Sequence, residues 1–137
     1  MMSMPTQDKR KPLVLNIIEL GGYPDFSRLF ESLGYTSISM QSMRKALKYI
    51  KNNAIDLIVA EFNFQSDFRD RTSQLESLMA SIAQRPKTRV IVFYDREQIA
   101  QFERLLGQFS FHASLAYPID EDDLADAARS AQIAESG

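Results

Sequence analysis

Three short runs constrain this chain more than anything else in it: Leu13-Val14-Leu15-Asn16-Ile17-Ile18, Asp56-Leu57-Ile58-Val59-Ala60-Glu61-Phe62 and Arg89-Val90-Ile91-Val92-Phe93-Tyr94. Each is apolar almost throughout, where a half-exposed strand would alternate apolar with polar residues. That pattern belongs to strands buried on both faces, as in parallel sheets covered by helices. The middle run is entered from the break at Asn52-Asn53 and closes on an acid, Glu61. In open α/β sheets the carboxyl ends of the strands border the crevice where ligands bind. Glu61 therefore stands where such folds do their chemistry.

Helical periodicity fills the gaps between these runs. Pro24 suits a first helical turn and Asp25 its positive end; Phe26, Leu29, Phe30 and Leu33 then share one face, and Gly34 supplies a C-cap. Thr36-Ser37-Ile38-Ser39-Met40 alternates as a strand with one polar face. Ser42 can cap a helix with Met43, Ala46, Leu47 and Ile50 inside and Arg44, Lys45, Lys48 and Lys51 outside. A polar loop runs from Asn63 to about Thr72, its charges Asp67, Arg69, Asp70 and Arg71 solvated, and a helix carrying Leu75, Leu78, Met79 and Ile82 ends at Pro86. Asp95 sits where it caps a helix with Ile99, Phe102, Leu105 and Leu106 on one face, ended by Gly107. Ala113-Ser114-Leu115-Ala116-Tyr117 is a weaker fifth strand closed by Pro118. The last helix starts at Asp120 with Glu121, Asp122 and Asp123 at its positive end, buries Leu124, Ala127, Ala128 and Ala131, and is expected to fray before Gly137. Strands separated by helices must run parallel with right-handed crossovers, so the expectation is an α/β sandwich: a five-stranded parallel sheet with helices on both faces.

At 137 residues, with 45% hydrophobic and 25% charged, the chain fits one domain with a real core. Residues 1–11 read as a disordered tail and 12–135 as the domain. A net charge of −2 gives no electrostatic footprint for nucleic acid. The absence of cysteine removes disulfides, thiol catalysis and thiolate metal sites. No apolar run approaches the ~18 residues needed to cross a bilayer, and the polar start has no signal-peptide core, which points to the cytoplasm.

The order of elements, with Ile55-Asp56-Leu57-Ile58-Val59-Ala60-Glu61 and Tyr117-Pro118-Ile119-Asp120-Glu121-Asp122-Asp123-Leu124, resembles the receiver domain of bacterial two-component response regulators. The resemblance covers about Leu13 to Ile133. It implies a flavodoxin-like three-layer sandwich with strand order 2-1-3-4-5 and a cis Tyr117–Pro118 peptide. It also implies an acidic pair after the first strand to hold Mg²⁺, a phospho-acceptor Asp after the third, Ser or Thr after the fourth and Lys after the fifth. The chain has Glu19-Leu20, Glu61, Tyr94 and Tyr117 at those positions. Without the lysine one charge that stabilises a transferring phosphoryl group is missing. Glu61 carries its oxygens roughly 1.5 Å farther out than Asp, a displacement that costs on the order of 10²-fold where positioning does the work. Tyr94 is too large for the pocket beside a Ser or Thr, and can fill that pocket instead.

Two readings of Glu61 stay open: a carboxylate held by hydrogen bonds from Tyr94, Tyr117 or backbone N–H groups that fixes one conformation, or a solvated acid at a strand end. Glu19, Glu61 and Asp95 could converge on Mg²⁺, set against the simpler reading that Asp95 is a helix cap. The single histidine, His112, reads as surface or loop and cannot build a zinc site or a triad in one chain. Gly21-Gly22 has neither the spacing nor the lysine of a phosphate loop. Of Phe62, Phe64 and Phe68, the first continues the core and the others fold over the sheet or anchor a partner. The expected function is a phosphorylation-independent, non-enzymatic interaction module in two-component signalling, without a cofactor. Its partner is a signalling protein, or a second copy through the fourth helix, fifth strand and fifth helix, from about Arg96 to Ala131. A regulator with an unusual acceptor and a flavodoxin-like small-molecule binder or enzyme are the alternatives.

Overall fold

The computed structural model describes residues 12–18, 24–62, 74–85 and 87–136. The expectations for the tail 1–11, for Glu19-Leu20 and Gly21-Gly22, for the loop with Phe64 and Phe68 and for Pro86 lie outside the described residues. Five strands, β1 (Leu13–Ile17), β2 (Thr36–Met40), β3 (Leu57–Glu61), β4 (Arg89–Asp95) and β5 (Ala113–Tyr117), form one parallel sheet in the order β2-β1-β3-β4-β5. The helices are α1 (Ser27–Ser32), α2 (Met43–Asn52), α3 (Gln74–Ser81), α4 (Ile99–Leu106) and α5 (Glu121–Ser136). The fold class and the strand order are those expected.

The apolar runs lack alternation because both sides of the sheet are covered. Leu15, Ile17, Ile58, Ala60, Val90 and Val92 pack on one side with Met43, Ala46 and Ile50 of α2, Leu75 and Leu78 of α3, and Phe102 and Leu105 of α4. On the other side Val14, Leu57, Val59, Ile91 and Phe93 meet Phe30 of α1 and Leu124, Ala128 and Ala131 of α5. Tyr35, 1% exposed, ties the second layer together by donating its hydroxyl to Ala128 O at 2.8 Å. The edge strand β2 has no fully buried residue, in keeping with its polar face.

Local chemistry sets the element ends. Ser42 accepts from Lys45 N at 3.2 Å, capping α2 as expected. Asp95 accepts from Glu97 N at 2.9 Å and caps a single 3₁₀ turn, Arg96–Gln98, that leads into α4. Helix α1 starts later than Pro24 suggests, because Asp25 Oδ1 accepts from Ser27 N at 2.9 Å and closes a turn ahead of the helix. Helix α5 continues to Ser136. Two residues placed inside α4 are exposed, Ile99 at 37% and Leu106 at 42%. They lie seven residues apart, two turns along one flank, while the sheet covers only the stripe through Phe102 and Leu105.

Helix α2 carries Arg44, Lys45, Lys48 and Lys51 and no acid. Lys48 lies four residues from Arg44 and three from Lys45 and Lys51, spacings at which like charges cost about 0.2–0.5 kcal/mol per pair. Two of these cations also occupy the helix's positive first turn. At its other end Arg85 donates to Lys51 O at 3.2 Å and Asn53 O at 3.4 Å, serving carbonyls the helix leaves unpaired.

Gly34 has φ +98°, and a Cβ there would meet nothing within 4 Å. Gly34→Ala therefore isolates a backbone cost of about 1–2 kcal/mol, seen as a lower urea midpoint with an unchanged slope. Asp25 is held below its ordinary carboxyl value of 3.8, first by the Ser27 side chain and then by the Ser27 backbone N–H. With the folded value below the unfolded one, its stabilisation is present above pH 3.8 and lost as pH falls through the folded value. Asp25→Ala is expected to lower the melting temperature at neutral pH, and the gap to the parent protein to close in acid.

Candidate functional site

At the carboxyl edge of the sheet the strands end on Ile17, Met40, Glu61, Asp95 and Tyr117. No strand ends on a cation. Glu61 is half-buried and lies level with Phe93, while Asp95 lies level with Tyr117. Asp95 thus stands two residues, or about 7 Å, farther along than the position level with Glu61. Its carboxylate is exposed and engaged as the cap of the turn that follows. Glu19, the third carboxylate of the expected acidic pocket, lies outside the described residues. Among the described residues no group of three His, Cys, Asp or Glu side chains is placed to hold a metal ion.

The pleat separates Glu61 from Tyr94. Glu61 continues the side of β3 that carries Leu57 and Val59, toward α1 and α5, whereas Tyr94 continues the side of β4 that carries Val90 and Val92, toward α4. The Tyr94 ring stacks on Phe102, centroids 4.7 Å apart and planes 17° off parallel. It fills space over α4 and does not close over the carboxylate. Phe102 in turn packs against Phe62 at 5.3 Å and Phe111 at 6.0 Å, so the aromatic after Glu61 belongs to the core as expected. Phe109 and Phe111, which sequence reasoning passed over, flank this stack. Their signal was the Phe-x-Phe alternation just before β5.

Tyr117 is 45% exposed and its bond to Pro118 is cis, as the resemblance implied. With Ile99 and Leu106 it is one of the three large apolar residues left exposed among the described residues, and all three belong to α4 or β5. His112 is more than surface: its Nε2 lies 3.0 Å from Ala127 O and its N–H donates to Val90 O at 2.8 Å, so it joins β4, the approach to β5, and α5. A depression of about 260 Å³ opens beside the edge between Asn16, Ser39, Asp25 and Phe93. It is below the ~300–1,000 Å³ of typical small-molecule pockets.

No family model and no curated protein matches this sequence. Solved structures do match. A response regulator receiver domain from Clostridium thermocellum superposes with TM-score 0.72 at 17% identity, over 91% of this chain and 97% of that chain. The signal receiver domain of an HD domain-containing protein from Pseudomonas fluorescens Pf-5 gives TM-score 0.73 at 17%, over 93% and 98%. The receiver domain of the Francisella response regulator 1452 gives 0.67 at 20%, over 90% and 98%. At these identities what is shared is the fold.

Replacing Tyr94 by the small hydroxyl residue of the receiver pattern tests where its ring is used. Tyr94→Thr removes a stacked pair and its buried area, for an expected loss of about 2 kcal/mol in chemical denaturation. A ring that only covered Glu61 would be replaced at little cost.

Proposed function

Taking the receiver fold as given, we propose that this chain is a receiver-type module of two-component signalling that works by binding protein and not by accepting a phosphoryl group. The observation that carries this reading is the carboxyl edge itself. Phosphoryl transfer between oxygens is catalysed almost entirely by positioned charge. Here no strand ends on a cation, and the fifth ends on Tyr117, an exposed phenol. The hydroxyl expected after the fourth strand is replaced by a ring committed to Phe102. Glu61 keeps the carboxyl group of an acceptor position with a longer reach, half-buried at the end of β3.

What the fold offers to a partner is the surface of α4, β5 and α5. Ile99, Leu106 and Tyr117 are exposed there, and exposed aromatics and aliphatics are the usual anchors of protein interfaces. A signalling protein docking on this surface needs no covalent change at Glu61. The module is cytoplasmic and non-enzymatic in this reading; no helix among the described residues is long and apolar enough to cross a membrane.

Incubation with acetyl phosphate and Mg²⁺, with a competent receiver as control, should leave the intact mass of this protein unchanged. Addition of beryllofluoride should leave the backbone amide spectrum near Glu61 unmoved. Gain of one phosphoryl group on this chain would overturn the reading in favour of an unusual acceptor.

A further inference from the structure

The row of cations on α2 has no acid on its own helix to balance it. Arg44, Lys45, Lys48 and Lys51 are all exposed, and none of them takes part in the Arg129–Asp126 ion pair. Arg44, Lys48 and Lys51 border a groove of about 660 Å³ with Asn52 and with Ser77 of α3; its floor is Met43 and Leu47. An apolar floor rimmed by cations suits an acidic protein segment with apolar neighbours. It suits a nucleic-acid backbone less, because that ligand gains nothing from the floor and the chain as a whole is acidic.

One such segment is on the same chain. At the start of α5 Glu121, Asp122 and Asp123 are exposed, beside the exposed Tyr117 and Pro118. Asp120 is occupied in accepting from Asp122 N and Asp123 N, and Asp126 pairs with Arg129, so the outward charge is that of the three acids between them. The first turn of α5 cannot reach the groove of its own copy. Helix α2 packs on one side of the sheet and α5 on the other, α2 toward β2 and α5 toward β5, edges about 19 Å apart. A second copy can. Pairing two α4–β5–α5 surfaces symmetrically would set the acids of both copies together, whereas α2 offers them the opposite sign.

We propose that this protein self-associates head to tail, the acidic first turn of α5 in one copy seating on the basic α2–α3 groove of the next. Such a contact is heterologous: it uses two different patches and leaves one of each free at the ends, so that it propagates unless the rotation closes a ring. The proposal goes beyond the signalling role and reads mass rather than phosphorylation, so either can fail alone.

Sedimentation velocity over a concentration series tests it. At about 0.01 M salt, where charges reach about 30 Å, the average mass should rise with concentration; the rise should weaken at about 0.1 M, where they reach about 10 Å. Arg44→Glu with Lys48→Glu, which places an acid in the positive first turn of α2, and Asp122→Asn with Asp123→Asn should each give monomers that still melt cooperatively. Mixed in equal amounts, the two variants should form a one-to-one dimer and nothing larger, because each retains the half the other lacks. A wild-type protein that stays monomeric at low salt would overturn the proposal, as would self-association that survives the α2 substitutions or a mixture that does not pair.

Discussion

The structure depends on one requirement: β3 must be covered on both faces. Leu57, Ile58, Val59 and Ala60 are each at most 1% exposed, two toward each side. A strand so placed cannot be an edge, and its neighbours β1 and β4 inherit the need for helices above and below. Along its length it lies in register with β1 on one side and β4 on the other, the ladders that satisfy backbone amides. The carboxyl end of β3 consequently lies inside the sheet, with a strand on either side. An acid at its last residue is thereby delivered to the carboxyl edge of the sheet.

That separation of core from strand ends lets this fold accept many different residues at the ends of its strands. The core contacts of β3, β4 and β5 point into the two layers, while the residues at their carboxyl ends, Glu61, Asp95 and Tyr117, are only partly buried or exposed. The Tyr94 ring is packed into the α4 layer against Phe102, which gives this position a structural duty. Removing that ring would open a cavity under α4.

Strands, helices and their order were legible because periodicity reports burial: two-sided for β1, β3 and β4, one-sided for β2, striped for the helices. The caps Ser42 and Asp95 and the turn at Gly34 were legible from residue type alone. Less legible was anything that depends on register. Glu61 and Tyr94 diverge because Glu61 pairs with Phe93, and the sequence does not state which residues of two strands lie level. Ile99 and Leu106 fit the apolar stripe of α4, but the width that the sheet covers is a tertiary property. His112 and Arg85 were hidden for the same reason: their partners, Ala127 and Lys51, are distant in sequence and are backbone carbonyls, which carry no residue signature.

The placement of α2 and α5 on opposite faces and toward opposite edges has a consequence for motion in solution. A net charge of −2 hides local contrast, since the positive row of α2 and the acidic turn of α5 lie on opposite faces of the sheet and contribute a dipole between them. In the field of a charged surface such a body rotates before it arrives. Its encounters are thereby biased to one orientation, and the bias fades as dissolved salt shortens the reach of the field.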